Sequence, residues 1–336
     1  MNGPLVSVLL PAHDAESTLP AALESLRRQR LERFECIVVD DGSRDGTRAI
    51  AERVASRDSR FRIIGIPHSG IVGALEAGLD ACRAPYVARM DADDLAHRDR
   101  LVLQYRALEA RADLAGVGCH VRMFPRAGLT AGRLAYERWL NSVRDEENVF
   151  RQRLIECPIA HPSLFVRTEV LRRFRYRDCG WPEDYDLVLR ILESGARLGM
   201  VPRRLLFWRE GPVRLSRTHP AYALERFVEC KAHFIAQGWL ARHDRYVLWG
   251  YGDTGRTLCR ALARYAKLPS AIVELHPGRL GQRIAGAPVI EPDALAALVP
   301  RPERIVVSVA GLVARARILA HLEKSGFGPE SFVFAA

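Results

Sequence analysis

The stretch Arg89-Met90-Asp91-Ala92-Asp93-Asp94 places three carboxylates directly after an apolar run, Tyr86-Val87-Ala88, that reads as a buried strand. Acids are costly there, so their position limits what can be built around them. Alternation along a strand puts Asp91 and Asp93 on one side, and a turn after Asp93 swings Asp94 toward the same point, so two or three oxygen donors converge. Hard oxygen donors at a strand end suit Mg²⁺ or Mn²⁺, which keep water and take further ligands from phosphates. A plainer reading is a polar turn with Asp94 capping the next helix.

The chain before this stretch repeats one pattern. Val6 to Leu10 reads as a strand stopped at Pro11, followed by a loop and a helix from about Leu19 to Arg30. Cys36 to Val39 is a second strand, ending in Asp40-Asp41-Gly42-Ser43-Arg44-Asp45-Gly46 before a helix to about Ser56. Phe61 to Ile66 is a third, with a helix from Ser69 to Cys82 that carries Gly70, Gly73, Ala74, Ala77 and Gly78. This alternation predicts an open α/β sheet whose ligand site lies on the polar loops at the strands' carboxyl ends.

With 336 residues, two domains are expected. The formal charge of +10 favours anionic partners such as nucleotides, phosphates or acidic lipid headgroups. Nucleic acid is not expected: the chain has no RNA-binding signature, zinc-finger spacing or aromatic-basic interleaving. Seven cysteines without a CxxC pair predict reduced thiols in a cytoplasmic protein. Met1-Asn2-Gly3-Pro4 lacks the basic region of a signal peptide, and no run approaches the ~18 apolar residues of a membrane span. Membrane contact is therefore expected only at the periphery, at the inner face.

Val6-Ser7-Val8-Leu9-Leu10-Pro11-Ala12-His13-Asp14-Ala15-Glu16, then Val39-Asp40-Asp41-Gly42-Ser43 through Asp45-Gly46-Thr47, then Met90-Asp91-Ala92-Asp93-Asp94 resemble the three successive motifs of a family 2 glycosyltransferase. The resemblance covers roughly residues 5 to 220 and implies the GT-A nucleotide-diphospho-sugar transferase fold, a Rossmann-like mixed sheet. It implies an inverting enzyme that moves a sugar from a nucleotide-diphosphate donor, UDP-linked by preference, to a glycan or lipid-linked acceptor in polysaccharide or glycolipid synthesis. The donor's nucleotide would meet Pro11, His13, Glu16, Asp40, Asp41, Asp91 and Ala92. Carboxylates there suit uracil N3–H or ribose hydroxyls, although a turn and helix cap is the alternative for Asp40 and Asp41. Mn²⁺ or Mg²⁺ would be held by Asp93, with Asp91 or Asp94. Asp14 stands where the family usually has Asn, and His68 and Glu76 stand where its third helix region usually carries Asn.

Farther along, a helix from Leu101 to Arg111 and a strand from Gly116 to Phe124 precede a charged helical stretch between Tyr136 and Glu156. A strand from Ser163 to Val166 follows His161, which reads either as a phosphate or acceptor contact or as a structural histidine. Trp181-Pro182-Glu183-Asp184-Tyr185-Asp186 opens a helix that Gly195 stops. Pro and acids in a first turn are also what any helix N-terminus prefers, but the stretch resembles the family's Glu-Asp motif, which would make Asp184 the general base and Glu183 the residue orienting acceptor or base. Between Arg203 and Arg217, five arginines face one acid, Glu210. The run is either a solvated charge run or a return to the active site, with Arg209, Arg214 or His219 near the pyrophosphate.

A helix around Tyr222 to Gln237 leads to a fresh strand, Arg245 to Trp249, and to Gly250-Tyr251-Gly252-Asp253-Thr254-Gly255, a GxGxxG that opens a helix. Glu274, which ends the next strand, lies 274 − 255 = 19 residues beyond the last glycine, near the spacing of a ribose-binding acid. Gly250, Gly252, Gly255 and Glu274 thus mark either a nucleotide site or a glycine turn without a ligand. The expected organisation is a GT-A domain over 1–220, a helical linker over 221–243 and a small Rossmann-like domain over 244–336. That last segment is too short for two full mononucleotide halves. Two rivals remain at this level. A sugar nucleotidyltransferase requires a glycine-rich loop after the first strand, where Pro11 to Thr18 has no glycine, and a non-catalytic nucleotide-sugar binding protein requires neither Asp184 nor three loop acids.

Overall fold

The computed structural model describes residues 3–211 and 214–336. The chain divides into two compact units: Met1–Phe150, Pro158–Cys179 and Glu183–Arg214 form the first, and Arg151–Cys157, Gly180–Pro182 and Leu215–Ala336 the second. Among the described residues no helix is long and apolar enough to cross a membrane.

In the first unit the elements run β1 Val6–Ala12, α1 Leu19–Arg27, β2 Phe34–Asp41, α2 Thr47–Ala55, β3 Phe61–Ile66, α3 Gly70–Ala81, β4 Tyr86–Arg89, β5 Leu95–Ala96, α4 Arg100–Glu109 and β6 Leu114–Phe124. They continue with α5 Ala131–Leu140, α6 Glu146–Gln152, β7 Phe165–Arg167, α7 Thr168–Phe174, α8 Glu183–Glu193 and β8 Arg197–Arg209. One sheet takes the order β3-β2-β1-β4-β7-β6-β8-β5. β3, β2, β1 and β4 are parallel, whereas β7 runs antiparallel to both β4 and β6. Every residue of β1, β2 and β4 is buried, as expected of strands covered on both faces. Helix α1 buries Leu19, Ala22, Leu23 and Leu26, the i, i+3, i+4, i+7 stripe that seats it on the sheet.

Three local readings change. β1 continues through Pro11 to Ala12, because β4 pairs with it only over Val6–Leu9 and leaves one side free of a ladder where a residue without N–H is tolerated. The charged stretch after Tyr136 is two helices rather than one. Asn141 breaks it by exchanging two 2.9 Å hydrogen bonds with the backbone of Val121 on β6, and Asp145 restarts it by accepting the Asn148 N–H at 2.8 Å. The arginine-rich run begins as strand, since Arg203, Arg204 and Arg209 all lie on β8 beside the buried Leu205, Leu206 and Trp208.

The second unit comprises α9 Leu215–Thr218, α10 Leu224–Phe234, β9 Arg245–Trp249, α11 Asp253–Ala263, β10 Leu268–Val273, β11 Arg283–Ile284, β12 Ala287–Ile290, β13 Ile305–Val307, α12 Leu312–Lys324 and β14 Phe332–Phe334. Its sheet order is β11-β12-β10-β9-β13-β14, parallel throughout except for β11. The chain thus builds on both sides of β9 despite its length. It does so by replacing full crossover helices with β11 and a short 3₁₀ turn over Pro292–Ala297. The core of this unit is Val247, Trp249, Ala271, Val273, Leu295, Ile305, Val307, Leu322 and their neighbours.

Among the small residues of α3, Gly78 is required by packing. A Cβ there would overlap Leu9 Cδ1 and lie 2.8 Å from Val39 Cγ2, on two central strands. Gly78→Val is expected to lower unfolding free energy by roughly 1–3 kcal/mol through overpacking; chemical denaturation that gives a midpoint equal to the parent's would contradict this contact.

Candidate active site

The functional side chains stand where β1, β2 and β4 end. β4 stops at Arg89, and Asp91–Asp94 form a turn before β5. The turn, not strand alternation, brings one carboxylate oxygen from each of Asp91, Asp93 and Asp94 within 4.8 Å of the others. Asp94 is no helix cap, since β5 separates it from α4. Its side chain is completely buried. Oδ1 accepts the Arg209 main-chain N–H at 2.7 Å, while Oδ2 is buried without a hydrogen-bond partner. Arg209 donates from Nε to the Asp93 carbonyl at 2.7 Å and lies over the Phe124 ring. Arg214 stacks on Trp208 and donates to Glu210 at 2.8 Å.

Burial pushes the Asp93 carboxyl up to about 6, reinforced by the Asp91 charge and opposed by Arg214 and Arg89. Asp94 is pushed well above the usual carboxylate range by burial and then by Asp91 and Asp93. These three acids repel one another in a poorly solvated place. A hard divalent cation would relieve that repulsion, and the all-oxygen donor set with one orphaned buried oxygen fits such an ion.

Arg89 joins this loop to the Glu183–Asp184 helix. Its guanidinium is buried and ion-paired with Asp91. Burial works against the Arg89 charge, but the Asp91 carboxylate and, more weakly, Glu183 more than restore it. Glu183 is 4% exposed in the first turn of α8, with His161 Nδ1 3.6 Å from its carboxylate. His161 Nε2 lies 3.0 Å from the Tyr176 hydroxyl. Burial, aided by the positive Arg89, holds His161 well below its usual pKa, so it is neutral. Tyr176 is itself placed by Glu76, which accepts its main-chain N–H at 2.7 Å and pairs with Arg175. Asp184 stands half-buried beside Glu183, its Oδ1 accepting the Tyr185 N–H at 2.7 Å.

The loops after β1 and β2 are zipped together. Asp14 sits at φ +46, a left-handed conformation that Asp and Asn both tolerate, which accounts for Asp at this position. Its carboxylate accepts the Arg44 N–H at 2.8 Å, and Glu16 accepts the Gly46 N–H at 2.7 Å. Asp40 serves the turn by accepting the Ser43 N–H at 3.2 Å. Asp41 instead reaches across to the start of α3 and accepts the Ser69 N–H at 2.6 Å. Pro11 is buried in β1, and Ala92 is buried in the aspartate turn.

The structure therefore groups Asp91, Asp93, Asp94, Arg209 and Arg214 around the aspartate turn, with Arg89 paired to Asp91 and its charge felt by Glu183 and His161. His219 belongs to the second unit, where its Nδ1 accepts the Ala221 N–H. In that unit a Cβ on Gly255 would overlap the Gly250 carbonyl, whereas Gly252 faces open space. Glu274 is engaged internally, pairing with Arg279 at 2.8 Å. Sequence reasoning missed Arg89, Tyr176 and Arg100. An arginine closing an apolar strand was a visible signal for the first. Nothing local marked the others: Arg100 is fully buried and donates to the Arg89 carbonyl at 2.6 Å and to Gln104 at 3.0 Å.

The raised Asp93 pKa carries a sign for stability. Between its unfolded value of 3.8 and about 6 the folded state holds the extra proton, so stability falls as pH rises through that window and the penalty is complete above it. Asp93→Asn is expected to stabilise the metal-free protein by roughly 1–3 kcal/mol at pH 7.5. The gain should vanish near pH 4; thermal melts of both proteins in EDTA at the two pH values measure it.

Residues 7–174, half of the chain, match the family model described as Glycosyl transferase family 2. The Bacillus subtilis protein EpsJ, named as an uncharacterized glycosyltransferase, is 28% identical over 259 residues, spanning 74% of this chain and 72% of its own. Staphylococcus aureus TarS, solved as residues 1–349 with UDP-GlcNAc, superposes with a TM-score of 0.54 at 17% identity, over 77% of this chain and 72% of that one. The Pyrobaculum calidifontis mannosyltransferase PcManGT, solved with GDP-Man and Mn²⁺, superposes with a TM-score of 0.50 at 18% identity, over 98% and 82%. With its three aspartates at the end of β4 and a mixed sheet of the GT-A kind, the chain belongs to glycosyl transferase family 2 and is a glycosyltransferase.

Proposed function

We propose that the chain is an inverting, metal-dependent transferase that moves a sugar from a nucleotide-diphosphate donor to an acceptor hydroxyl, with UDP as the preferred carrier. The observation that carries this reading is the convergence of Asp91, Asp93 and Asp94 around a buried, unpartnered Asp94 oxygen, with the buried Arg89 guanidinium paired to Asp91. Mn²⁺ or Mg²⁺ would be held by Asp93 with Asp91 or Asp94. Such an ion, when bound, screens the donor's diphosphate and makes it a better leaving group. Arg209 and Arg214 stand beside the same loop, where their charges favour the diphosphate. TarS was solved with UDP-GlcNAc and PcManGT with GDP-Man and Mn²⁺, which supports a nucleotide-sugar donor and a divalent ion for this chain as well.

The chemistry assigned to the protein's own groups is a proton transfer and an alignment. Asp184 takes the acceptor hydroxyl proton as the oxygen attacks the anomeric carbon opposite the leaving diphosphate. Glu183, fixed by neutral His161 and the Arg89 charge, orients the acceptor or the base. Asp41 and His13 face the nucleotide, with Glu16 and Asp40 holding the loops that shape its site. The acceptor is a growing glycan or a lipid-linked sugar. Residues 1–220 carry the transfer and 221–243 form the helical linker. Residues 244–336 form a Rossmann-like module that does no redox chemistry and positions acceptor or binds a single nucleotide or sugar phosphate. Calorimetric binding of NAD⁺ or NADH to the full chain that Gly252→Val abolishes would contradict that assignment.

A panel of UDP-, GDP- and dTDP-sugars with Mn²⁺ or Mg²⁺, read as free nucleotide, tests the reaction. Release is expected from UDP-sugars and is lost in EDTA; release undiminished by chelation would remove the metal from the mechanism. Asp184→Asn should leave donor affinity unchanged while transfer falls by about 10²-fold or more. Collapse of donor affinity with preserved turnover would move Asp184 to the donor site.

A further inference from the structure

Donor groups also converge outside the aspartate loop. His13, Asp41 and His68 follow or end β1, β2 and β3, and each brings one ligating atom within 4.8 Å of the other two. The His13 and His68 rings stack, with centroids 4.2 Å apart and planes 28° from parallel. Their Nδ1 atoms reach the same place, lying 2.7 and 3.1 Å from the Asp41 main-chain oxygen. His68 Nδ1 is also 3.0 Å from Asp41 Oδ2. The opposite carboxylate oxygen is fixed by the Ser69 N–H, which leaves Oδ2 turned toward the imidazoles. Asp41 is 3% exposed, and Gly42 at φ +66 lets the backbone turn tightly enough to bring the His68 main chain against it.

Without an ion, each Nδ1–H can donate to the Asp41 carbonyl; deprotonated and opened to the ~3.3 Å edges of a tetrahedron with bonds of about 2.0–2.1 Å, the two imidazole nitrogens, the carboxylate oxygen and the carbonyl oxygen can enclose an ion. Nitrogen-containing sets favour Zn²⁺, Co²⁺ or Ni²⁺, whereas an all-oxygen set such as Asp91, Asp93 and Asp94 favours Mg²⁺ or Mn²⁺. The two donor clusters therefore differ in the class of ion that each favours.

We propose that His13, Asp41 and His68 form a second cation site, selective for imidazole-seeking divalent transition ions, whose occupancy excludes the nucleotide end of the donor. The exclusion rests on the reading that Asp41 and His13 face that nucleotide; the site itself does not. An ion drawing on Asp41 Oδ2 removes the acceptor that a base or ribose hydroxyl would use, so Zn²⁺ inhibits by competing with the donor rather than by replacing the ion of the aspartate loop.

The test uses the untagged full chain carrying Cys179→Ser, which removes the one exposed thiol among the described residues, with Mg²⁺ in large excess to occupy the aspartate loop. Zn²⁺ alone is titrated by calorimetry. One ion is expected to bind, and His68→Asn should weaken it by about tenfold or more, with Asp93→Asn leaving it unchanged. In transfer assays normalised to each protein's own rate, Zn²⁺ should raise the apparent KM for donor in the parent and raise it less in His68→Asn. Zn²⁺ affinity equal in parent, His68→Asn and His13→Asn would overturn the site while leaving the proposed transfer reaction standing. Zn²⁺ binding that His68→Asn abolishes, without any effect on donor KM, would overturn the exclusion and the placement of the nucleotide on Asp41.

Discussion

The buried Arg89 guanidinium is the interaction on which the active-site half of the molecule depends. It sits at the last position of a central strand, paired with Asp91, with the Glu183 carboxylate as a weaker support for its charge. A buried charge survives only where partners repay its desolvation, and losing one partner of such a pair costs roughly 3–5 kcal/mol. The strand end and the aspartate turn are consequently tied to one another. Arg100 completes the tie from below by holding the Arg89 carbonyl. Asp91 is thereby held at the mouth of the aspartate turn by a charge that the sheet itself supplies.

The sheet makes this concentration possible. β1, β2 and β4 run parallel and deliver their carboxyl ends to one edge, where the loops of Asp41 and Asp91 to Asp94 lie. β7 then enters antiparallel beside β4, and β8 returns Arg209 to the aspartate turn. Loops at such an edge are free of the sheet's own hydrogen-bond ladder, so their polar groups are spent on each other and on ligands. The pairs between residues 14 to 16 and 43 to 47 illustrate the first use.

The second unit shows how a motif and its use separate. Gly250 at φ +93 and Gly255 against the Gly250 carbonyl are demanded by the turn and by helix packing alone. Ser308 closes that turn by donating to the Gly250 carbonyl at 2.7 Å. Glu274 stands at the spacing of a ribose ligand yet pairs with Arg279. The glycine pattern therefore encodes a strand-turn-helix geometry, which packing and the backbone turn require by themselves.

The sequence alone determined the strand-helix alternation of the first half, because apolar runs of four to eight residues bounded by acid and glycine loops admit few other packings. It determined equally that Asp91, Asp93 and Asp94 belong together, since they are neighbours in the chain. It did not determine β8, whose arginines mask a strand that buries only selected positions, nor the break at Asn141, which comes from two hydrogen bonds to a distant strand. Above all it did not disclose the buried pairing of Arg89 with Asp91 or the placing of Tyr176 against His161. Those assignments come from burial and from contacts between residues tens of positions apart, and desolvation and charge pairing acquire their magnitudes only once the chain has closed around them.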